Sequence, residues 1–201
     1  NTHNGGTIID PDNSAALATW DASAQAAWFT AGTGTGCWVR LPNGSVDIKT
    51  FGAKGDGTTN DKAPWDAAIA AGHRDFITFE EDTFLIATKS TYTGVDDLSI
   101  TGKATFTTTD LDGIFQFTGS NINLDGFKGS GDLDKTAWEA LSAGNRQQHR
   151  ALFTISTSDS TKVRDIKTFS SSQGVQLVTC TNSVMENLQH VGCFGVTSAG
   201  I

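Results

Sequence analysis

Val46 to Gly72 carry the sequence VDIKTFGAKGDGTTNDKAPWDAAIAAG, in which three kinds of local structure follow one another. The first residues alternate apolar and polar side chains, which is typical of a strand. Glycines at positions 52, 55 and 57 then predict a loop with positive φ angles. From Asp61 the period changes: Asp61 predicts an N-cap, Pro64 is tolerated in a first helical turn, and Gly72 ends the segment. We expect a strand, a loop and a short capped helix.

The run DIKTFGAKGDGTTND followed by WDAAIAAG resembles the opening signature of the pectate-lyase-like superfamily, to which many bacteriophage tailspikes belong. It departs from the family pattern at Asn60, Lys62 and Pro64 to Trp65, where members carry Asp and small residues. The resemblance implies an all-β fold, a right-handed single-stranded parallel β-helix that has a small N-terminal element and a short capping helix.

Self-similarity at a fixed period tests that fold without the family, because stacked coils place equivalent residues above one another. An offset of 22 residues aligns apolar side chains, which we expect to stack in files within the core, and predicts about 22 residues per coil. It also places Arg164 beside Glu186 and Asp165 beside Asn187. The apolar pairs are Phe153 and Val175, Ile155 and Leu177, Val163 and Met185, Ile166 and Leu188, Phe169 and Val191, and Ile100 and Ile122.

The domain organisation follows from where this period begins and where it is interrupted. Residues 46–201 are predicted to form the first coils, about five from Phe76 onward. From Phe127 to Phe169 the offset is 42, so we expect an insertion at about 132–150. The last coil ends at Ile201 without a polar cap, so we expect further coils or a covering partner subunit.

Residues 1–45 are predicted to be a small N-terminal element, on the particle side or at the neck. Helical spacing of apolar residues from Leu17 to Trp28 indicates a short amphipathic helix. The glycine run at positions 32, 34 and 36 precedes an extended stretch, Cys37 to Leu41, rather than a helix. This arrangement excludes a phosphate-binding loop.

Composition excludes several classes of function. The 201 residues include 14 Lys and Arg against 22 Asp and Glu, giving a net charge of −8. Nucleic acid is therefore an unexpected partner, because phosphate binding needs clustered cations. No apolar window of membrane-spanning length and no signal-peptide pattern occur, so neither is expected.

Metal and cofactor sites are not expected either. Cys37, Cys180 and Cys193 lack disulfide or zinc-ligand spacing and are predicted to be buried free thiols. The acidic clusters at residues 96–97 and 110–112 lack the ligand series of a calcium loop. We expect no metal and no cofactor.

Hydrolysis of a polysaccharide needs two carboxylates, which neighbouring coils of a solenoid place at suitable distances. The candidate catalytic residues are Asp132, Asp134 and Glu139 in the insertion, and Glu186, near His190. Each has a structural alternative: the two aspartates as turn formers, Glu139 as a solvated helix residue, and Glu186 as the ion-pair partner of Arg164.

Candidate substrate-binding residues also lie in the insertion. Trp138 offers a flat apolar face to a sugar ring, or anchors the insertion on the solenoid. Lyase chemistry needs a base and a cation that neutralises a uronate, which favours His149 with Arg146 and Arg150; otherwise these form a basic surface patch. The paired aspartates and GHG motif of the polygalacturonase branch are absent.

The resemblance implies a bacteriophage tailspike in the virion tail, a homotrimer attached to tail or baseplate proteins. It also implies that such a spike binds and cleaves a bacterial surface polysaccharide, as a hydrolase or a lyase. The alternatives are a non-catalytic glycan-binding adhesin and a structural tail module.

Overall fold

The computed structural model describes residues 8–9, 38–39, 44–132, 151–171 and 173–191, and most of them form an all-β parallel β-solenoid of about five turns. Each full turn contributes one strand to each of three parallel sheets. The first sheet contains β3 (Val46–Asp47), β5 (Asp75–Thr78), β8 (Ser99–Gly102), β11 (Asn123–Asp125), β14 (Lys162–Arg164) and β17 (Val184–Glu186).

The other two sheets complete the wall. The second contains β4 (Asp56–Asn60), β6 (Thr83–Leu85), β9 (Thr105–Thr107), β12 (Lys128–Ser130), β15 (Lys167–Phe169) and β18 (Gln189–Val191). The third contains β7 (Ser90–Thr93), β10 (Phe115–Thr118), β13 (Ala151–Ser156) and β16 (Gln173–Val178). The predicted all-β parallel solenoid is confirmed.

The period is about 24 residues per turn, longer than the predicted 22. The offset of 22 holds in the last described turn, where Val163 pairs with Met185 and Phe153 with Val175. Earlier turns are longer, because the connections between their sheets contain more residues. Ile100 therefore pairs with Leu124, and the predicted match with Ile122 is wrong.

Strand alternation decides which matched residues enter the core. Phe153, Ile155 and Val163 are fully buried, as predicted. Phe169 and Val191 are neighbours in register, but both lie on the outer face of the sheet. The preceding residue on β15, Thr168, is buried and points inward, so the next residue along the strand points outward. The prediction that this pair stacks inside the core is therefore wrong.

A single residue in the left-handed region turns the chain from the first sheet to the second. Gly102, Gly126, Asp165 and Asn187 occupy this position in successive turns, with φ between 50° and 126°. The amide of Asn187 donates a hydrogen bond to the Asp165 carboxylate, so the predicted polar ladder is confirmed.

The segment from Val46 to Gly72 closes one end of the solenoid. After β3, a 3-10 helix (Ile48–Phe51) replaces the continued strand that the sequence predicts, and β4 lies within the predicted loop. Helix α1 (Lys62–Ala70) then takes the place in the chain order that a third-sheet strand has in later turns. Its position confirms the predicted capping helix.

Trp65 of α1 joins the helix to the core. The indole is fully buried, and its ring centroid lies 5.1 to 6.0 Å from four phenylalanine rings contributed by all three sheets. Aromatic side chains bury the largest apolar areas, so these contacts fix the helix on the end of the solenoid. The four rings belong to Phe76, Phe84, Phe106 and Phe115.

Asp61 occupies the N-cap position but makes no capping hydrogen bond with its side chain. Its carboxylate instead accepts hydrogen bonds from the backbone amides of Lys54, at 2.7 Å, and Gly55, at 3.1 Å. The amide of Lys62 is bound by the side-chain oxygen of Asn60 at 3.2 Å. Asp61 therefore anchors the glycine loop to the start of the helix.

Outside the solenoid, β1 (Ile8–Ile9) pairs antiparallel with β2 (Trp38–Val39), which lies within the predicted extended stretch. The predicted N-terminal helix falls outside the described residues. No helix in the described part of the chain is long and apolar enough to cross a membrane. Cys180 is a free thiol packed against the core, whereas Cys37 and Cys193 lie outside the described ranges.

Candidate functional site

The insertion that carries most of the predicted site residues is only partly described. Adjacent strands β12 and β15 are offset by 39 residues, and this register step leaves room for an insertion. Six candidates fall outside the described residues and stay predictions; they are Asp134, Trp138, Glu139, Arg146, His149 and Arg150.

The two candidates that the structure describes do not lie together. Asp132 is exposed and follows β12 of the second sheet, whereas Glu186 is exposed on β17 of the first sheet, two turns further on. Glu186 and His190 also lie on different sheets, Glu186 on β17 and His190 on β18. His190 lies at an inward position of the second sheet, where its Nδ1 is 2.5 Å from Oγ1 of Thr168.

Glu186 does belong to a file of charged residues on the outer face of the first sheet. Asp125, Arg164 and Glu186 are register partners on three consecutive strands, so the predicted placement of Arg164 beside Glu186 is confirmed. The residues just before Asp125 on β11 and Arg164 on β14, Leu124 and Val163, point inward and are fully buried. Alternation therefore directs all three charged side chains away from the core.

The ion pair in this file differs from the one that the sequence suggests. Nη2 of Arg164 donates to Oδ2 of Asp125 at 3.0 Å, on the preceding turn rather than the following one. The guanidinium thus holds the Asp125 carboxylate in one orientation, and Glu186 lies on the other side of Arg164. Asp125 was missed by sequence reasoning because the insertion hides its position in the repeat.

The separation of the two carboxylates follows from the geometry of the sheet. Asp125 and Glu186 lie two strands apart, which corresponds to about 9 to 10 Å at the backbone. Carboxyl groups that flank a glycosidic bond in inverting glycoside hydrolases are roughly 6.5 to 9.5 Å apart. Both carboxylates lie at outward positions of the same sheet, so this pair is suited to general acid and base chemistry.

Further polar groups surround the pair on the same face. Two positions before Asp125, the amide of Asn123 donates to Oγ of Ser99 at 3.2 Å. The register partner of Asn123 on the next turn is Lys162, which is exposed. Amide, hydroxyl and ammonium groups of this kind form hydrogen bonds with sugar hydroxyls, so the face has the chemistry to bind a glycan.

Other carboxylates near the glycine loop serve the structure instead. Asp82 is 2% exposed and forms an ion pair with Lys49. Burial raises the pKa of Asp61 despite the two amide hydrogen bonds that it accepts, whereas hydrogen bonds from the backbone of Thr59 and Thr58 lower the pKa of Asp56. Asp61 and Asp82 are too buried to meet a polymer. Within the described residues, no cluster of His, Cys, Asp and Glu has the arrangement of a metal site.

A groove lies between α1 and the third sheet. The groove, of about 470 Å³, runs between the helix and β7, lined mainly by polar and charged side chains. One carboxylate, that of Asp66, lines it, which leaves it without the pair that hydrolysis requires. The polar lining residues are Lys62, Asp66, Arg74, Thr91, Tyr92 and Thr93.

Comparison with known proteins gives a structural likeness only. No protein-family model matches the chain, and no curated protein matches it either. One similar solved structure is that of a "putative glycosyl hydrolase" from Parabacteroides merdae, with 14% sequence identity and a TM-score of 0.53, covering 74% of this chain and 75% of that one. At this identity the likeness concerns the fold alone.

Proposed function

We propose that this chain is part of a bacteriophage tailspike that binds and cleaves bacterial surface polysaccharide. Two independent features support the proposal. The stretch from Val46 to Gly72 resembles the opening signature of tailspike solenoids, and the fold is similar to that of a protein described as a "putative glycosyl hydrolase". The polysaccharide is a capsule, an exopolysaccharide or an O-antigen, and the spike is a homotrimer joined to the virion tail or baseplate.

The file of Asp125, Arg164 and Glu186 is the observation that carries the enzymatic part. In the hydrolysis that we propose, Glu186 donates a proton to the leaving glycosidic oxygen. Asp125, oriented by its 3.0 Å ion pair with Arg164, takes a proton from the water that attacks the anomeric carbon. The bond between the anomeric carbon and the leaving oxygen breaks, the new bond to water forms, and the anomeric configuration inverts.

The same face is suited to holding the polymer. The outer positions of a parallel sheet repeat every 4.8 Å or so from strand to strand, which presents polar groups along a line. Polar side chains occupy these positions in the first sheet from Ser99 and Asn123 to Lys162 and Arg164. An extended glycan lying across the strands would meet a hydrogen-bonding group on each turn.

Product analysis of a purified, full-length spike tests the proposal. We expect incubation with host capsule or O-antigen to release reducing ends, without the ultraviolet absorbance of unsaturated uronates. Products that absorb in the ultraviolet would identify a lyase reaction instead of hydrolysis and would favour the candidate residues of the insertion. Binding without any product on host glycans would contradict cleavage and identify an adhesin. Absence of binding, together with attachment to baseplate proteins, would identify a structural tail module.

A further inference from the structure

The groove between α1 and β7 contains one ion pair that neutralises itself. Asp66 accepts hydrogen bonds at its carboxylate from the Tyr92 hydroxyl, at 2.9 Å, and from Oγ of Ser90, at 3.1 Å. Nζ of Lys62 lies 3.0 Å from the same carboxylate and also donates to Oγ of Ser90, at 2.7 Å. The charge and the acceptor sites of Asp66 are therefore satisfied from within the protein.

Arg74 is the charged residue of the groove that does not take part in this network. Its Nη1 donates to the carbonyl oxygens of Ile69 and His73, both at 2.8 Å, which fixes the guanidinium at the C-terminal end of α1. Among the described residues Arg74 has no acidic ion-pair partner, and its Nε and Nη2 are left for a ligand. A fixed guanidinium loses little conformational freedom on binding and matches a carboxylate with two parallel hydrogen bonds.

Neutral hydrogen-bonding groups complete the polar part of the lining. Thr91 and Thr93 alternate along β7 with the buried Ser90 and Tyr92, so their hydroxyls face outward, and both threonines are exposed. The phenol of Tyr92 stays protonated, because burial raises its pKa. Hydroxyl groups that both donate and accept are suited to sugar hydroxyls.

The size of the groove fits a short oligosaccharide. Lys62 begins α1 and Arg74 follows its end, so the helix gives the groove a length of about 12 Å or more. The volume of about 470 Å³ lies in the range of ordinary small-molecule sites. The groove is open to solvent at its rim, which lets a chain enter and leave it.

We propose that this groove is a glycan subsite, separate from the Asp125–Glu186 file, that binds an acidic sugar unit through Arg74. The proposal rests on the proposed function, since it takes the ligand to be a polysaccharide. It adds that the recognised polymer carries carboxylate groups, which Arg74 distinguishes from neutral sugars. Because the chain carries a net charge of −8, which repels an anionic polymer, binding of such a polymer requires a fixed local cation such as Arg74.

A matched pair of trisaccharides tests the inference. The probes are cellotriose and the β-1,4-linked glucuronate trisaccharide, which share a backbone and differ at C6. We expect the glucuronate probe to bind, with NMR shift changes at the amides of α1 and β7, and cellotriose to bind at least about tenfold more weakly. Loss of one charged hydrogen bond of this kind corresponds to about that factor.

Two variants and a control locate the effect. Arg74→Gln is expected to remove the preference for the glucuronate probe, and Thr93→Val, which leaves the helix contacts intact, to weaken both probes. Lys103→Gln, an exposed cation away from the groove, is the matched charge control and should change neither affinity. Thermal unfolding of each variant checks that α1 is retained.

Several outcomes would overturn the inference. These are equal binding of the two probes, unchanged selectivity in a folded Arg74→Gln protein, and shift changes confined to other parts of the chain. The outcome is separable from that for the proposed function, because Asp125→Asn should stop cleavage and leave probe binding unchanged. Cleavage without probe binding would contradict the subsite alone, and probe binding without cleavage would contradict the enzyme alone.

Discussion

Arg164 and Asp125 form an ion pair of 3.0 Å on adjacent strands although they are 39 residues apart in the sequence. The pair spans the turn that contains the insertion, and it joins the strands on either side of it. One consequence is structural, since the insertion leaves the register of the first sheet intact. The other is chemical, since the pair fixes a carboxylate opposite Glu186.

Replacement of either carboxylate in this file is expected to reduce cleavage. Asp125→Asn removes the proposed base and Glu186→Gln removes the proposed acid, and groups in these roles contribute about 10²- to 10⁴-fold to the rate. We expect each variant to lose at least 100-fold in kcat, with KM little changed. Release of reducing ends from the host polysaccharide measures both constants.

The matched control is Glu80→Gln, an exposed carboxylate in a turn of an early coil. It should cleave at the wild-type rate. If Asp125→Asn and Glu186→Gln also cleave normally, the catalytic residues lie elsewhere, and the insertion candidates Asp132, Asp134 and Glu139 become the next ones to replace.

The capping helix and the solenoid were predictable because their signals are local or regular. Asp61 and Gly72 mark the ends of α1 in the sequence, and offset 22 holds wherever the corners are short. The offset failed at Ile100, because longer corners in the early turns shift the register by two residues. Asp125 was missed for a related reason: the insertion increases the offset between Asp125 and its register partner Arg164 to 39 residues, so a period of 22 does not align them.

The 22-residue repeat also could not predict whether a side chain points into the core or out of it. Phe169 and Val191 match at the predicted offset, yet they lie outside, because alternation places Thr168 and His190 inward on those strands. An apolar match at one offset shows that two residues are neighbours. It does not show which face of the sheet they share.

Gly126 provides a test of the corner between the first and second sheets. A Cβ at this position would collide with the carbonyl oxygen of Gly102 on the preceding turn, and its φ of 89° is costly for other residues. Gly126→Ala is therefore expected to lower the free energy of unfolding by about 2 to 4 kcal/mol. Urea denaturation followed by circular dichroism measures the change.

Gly94→Ala is the matched control for that collision. Gly94 also has a positive φ, 66°, but a Cβ there meets no atom within 4 Å. Its substitution should cost only about 1 kcal/mol, from the backbone conformation. Equal losses in the two variants would mean that the contact between successive turns is looser than the structure indicates.

His73 is expected to make stability depend on pH in the mildly acidic range. Burial, and to a lesser extent the neighbouring charge of Arg74, lower the pKa of His73 below its ordinary 6.5. Between the lowered value and 6.5 the unfolded chain binds more protons than the native state, so the free energy of unfolding contributed by His73 rises with pH in this window. The contribution is complete above 6.5 and is lost as the pH falls through the lowered pKa.

A comparison with His73→Phe isolates this effect from other titrating groups. Phenylalanine retains an aromatic edge for Phe51, whose ring centroid lies 5.0 Å from that of His73. The melting temperature of wild type should therefore fall more than that of the variant between pH 7.5 and 5. Parallel curves for the two proteins would show that His73 titrates as it does in the unfolded chain.

Asp61 is expected to be the most sensitive polar position of the glycine loop. It has no exposed surface, and its two carboxylate oxygens bind the amides of Lys54 and Gly55. Asp61→Ala leaves both donors without an acceptor at the junction of the loop and α1, at about 1 to 3 kcal/mol for each buried group. We expect a loss of about 2 to 5 kcal/mol in unfolding free energy, measured by denaturant titration.

Asp61→Asn distinguishes hydrogen bonding from simple space filling. Asparagine keeps the shape and one acceptor, but it turns an N–H donor toward one of the two backbone donors, so we expect about 1 to 3 kcal/mol of destabilisation. Burial raises the pKa of Asp61, so the charge itself is unfavourable in the native state, and removing it offsets part of that loss. An Asn variant as stable as wild type would mean that the loop is held by its backbone conformation and that the carboxylate only fills the space beneath Gly55.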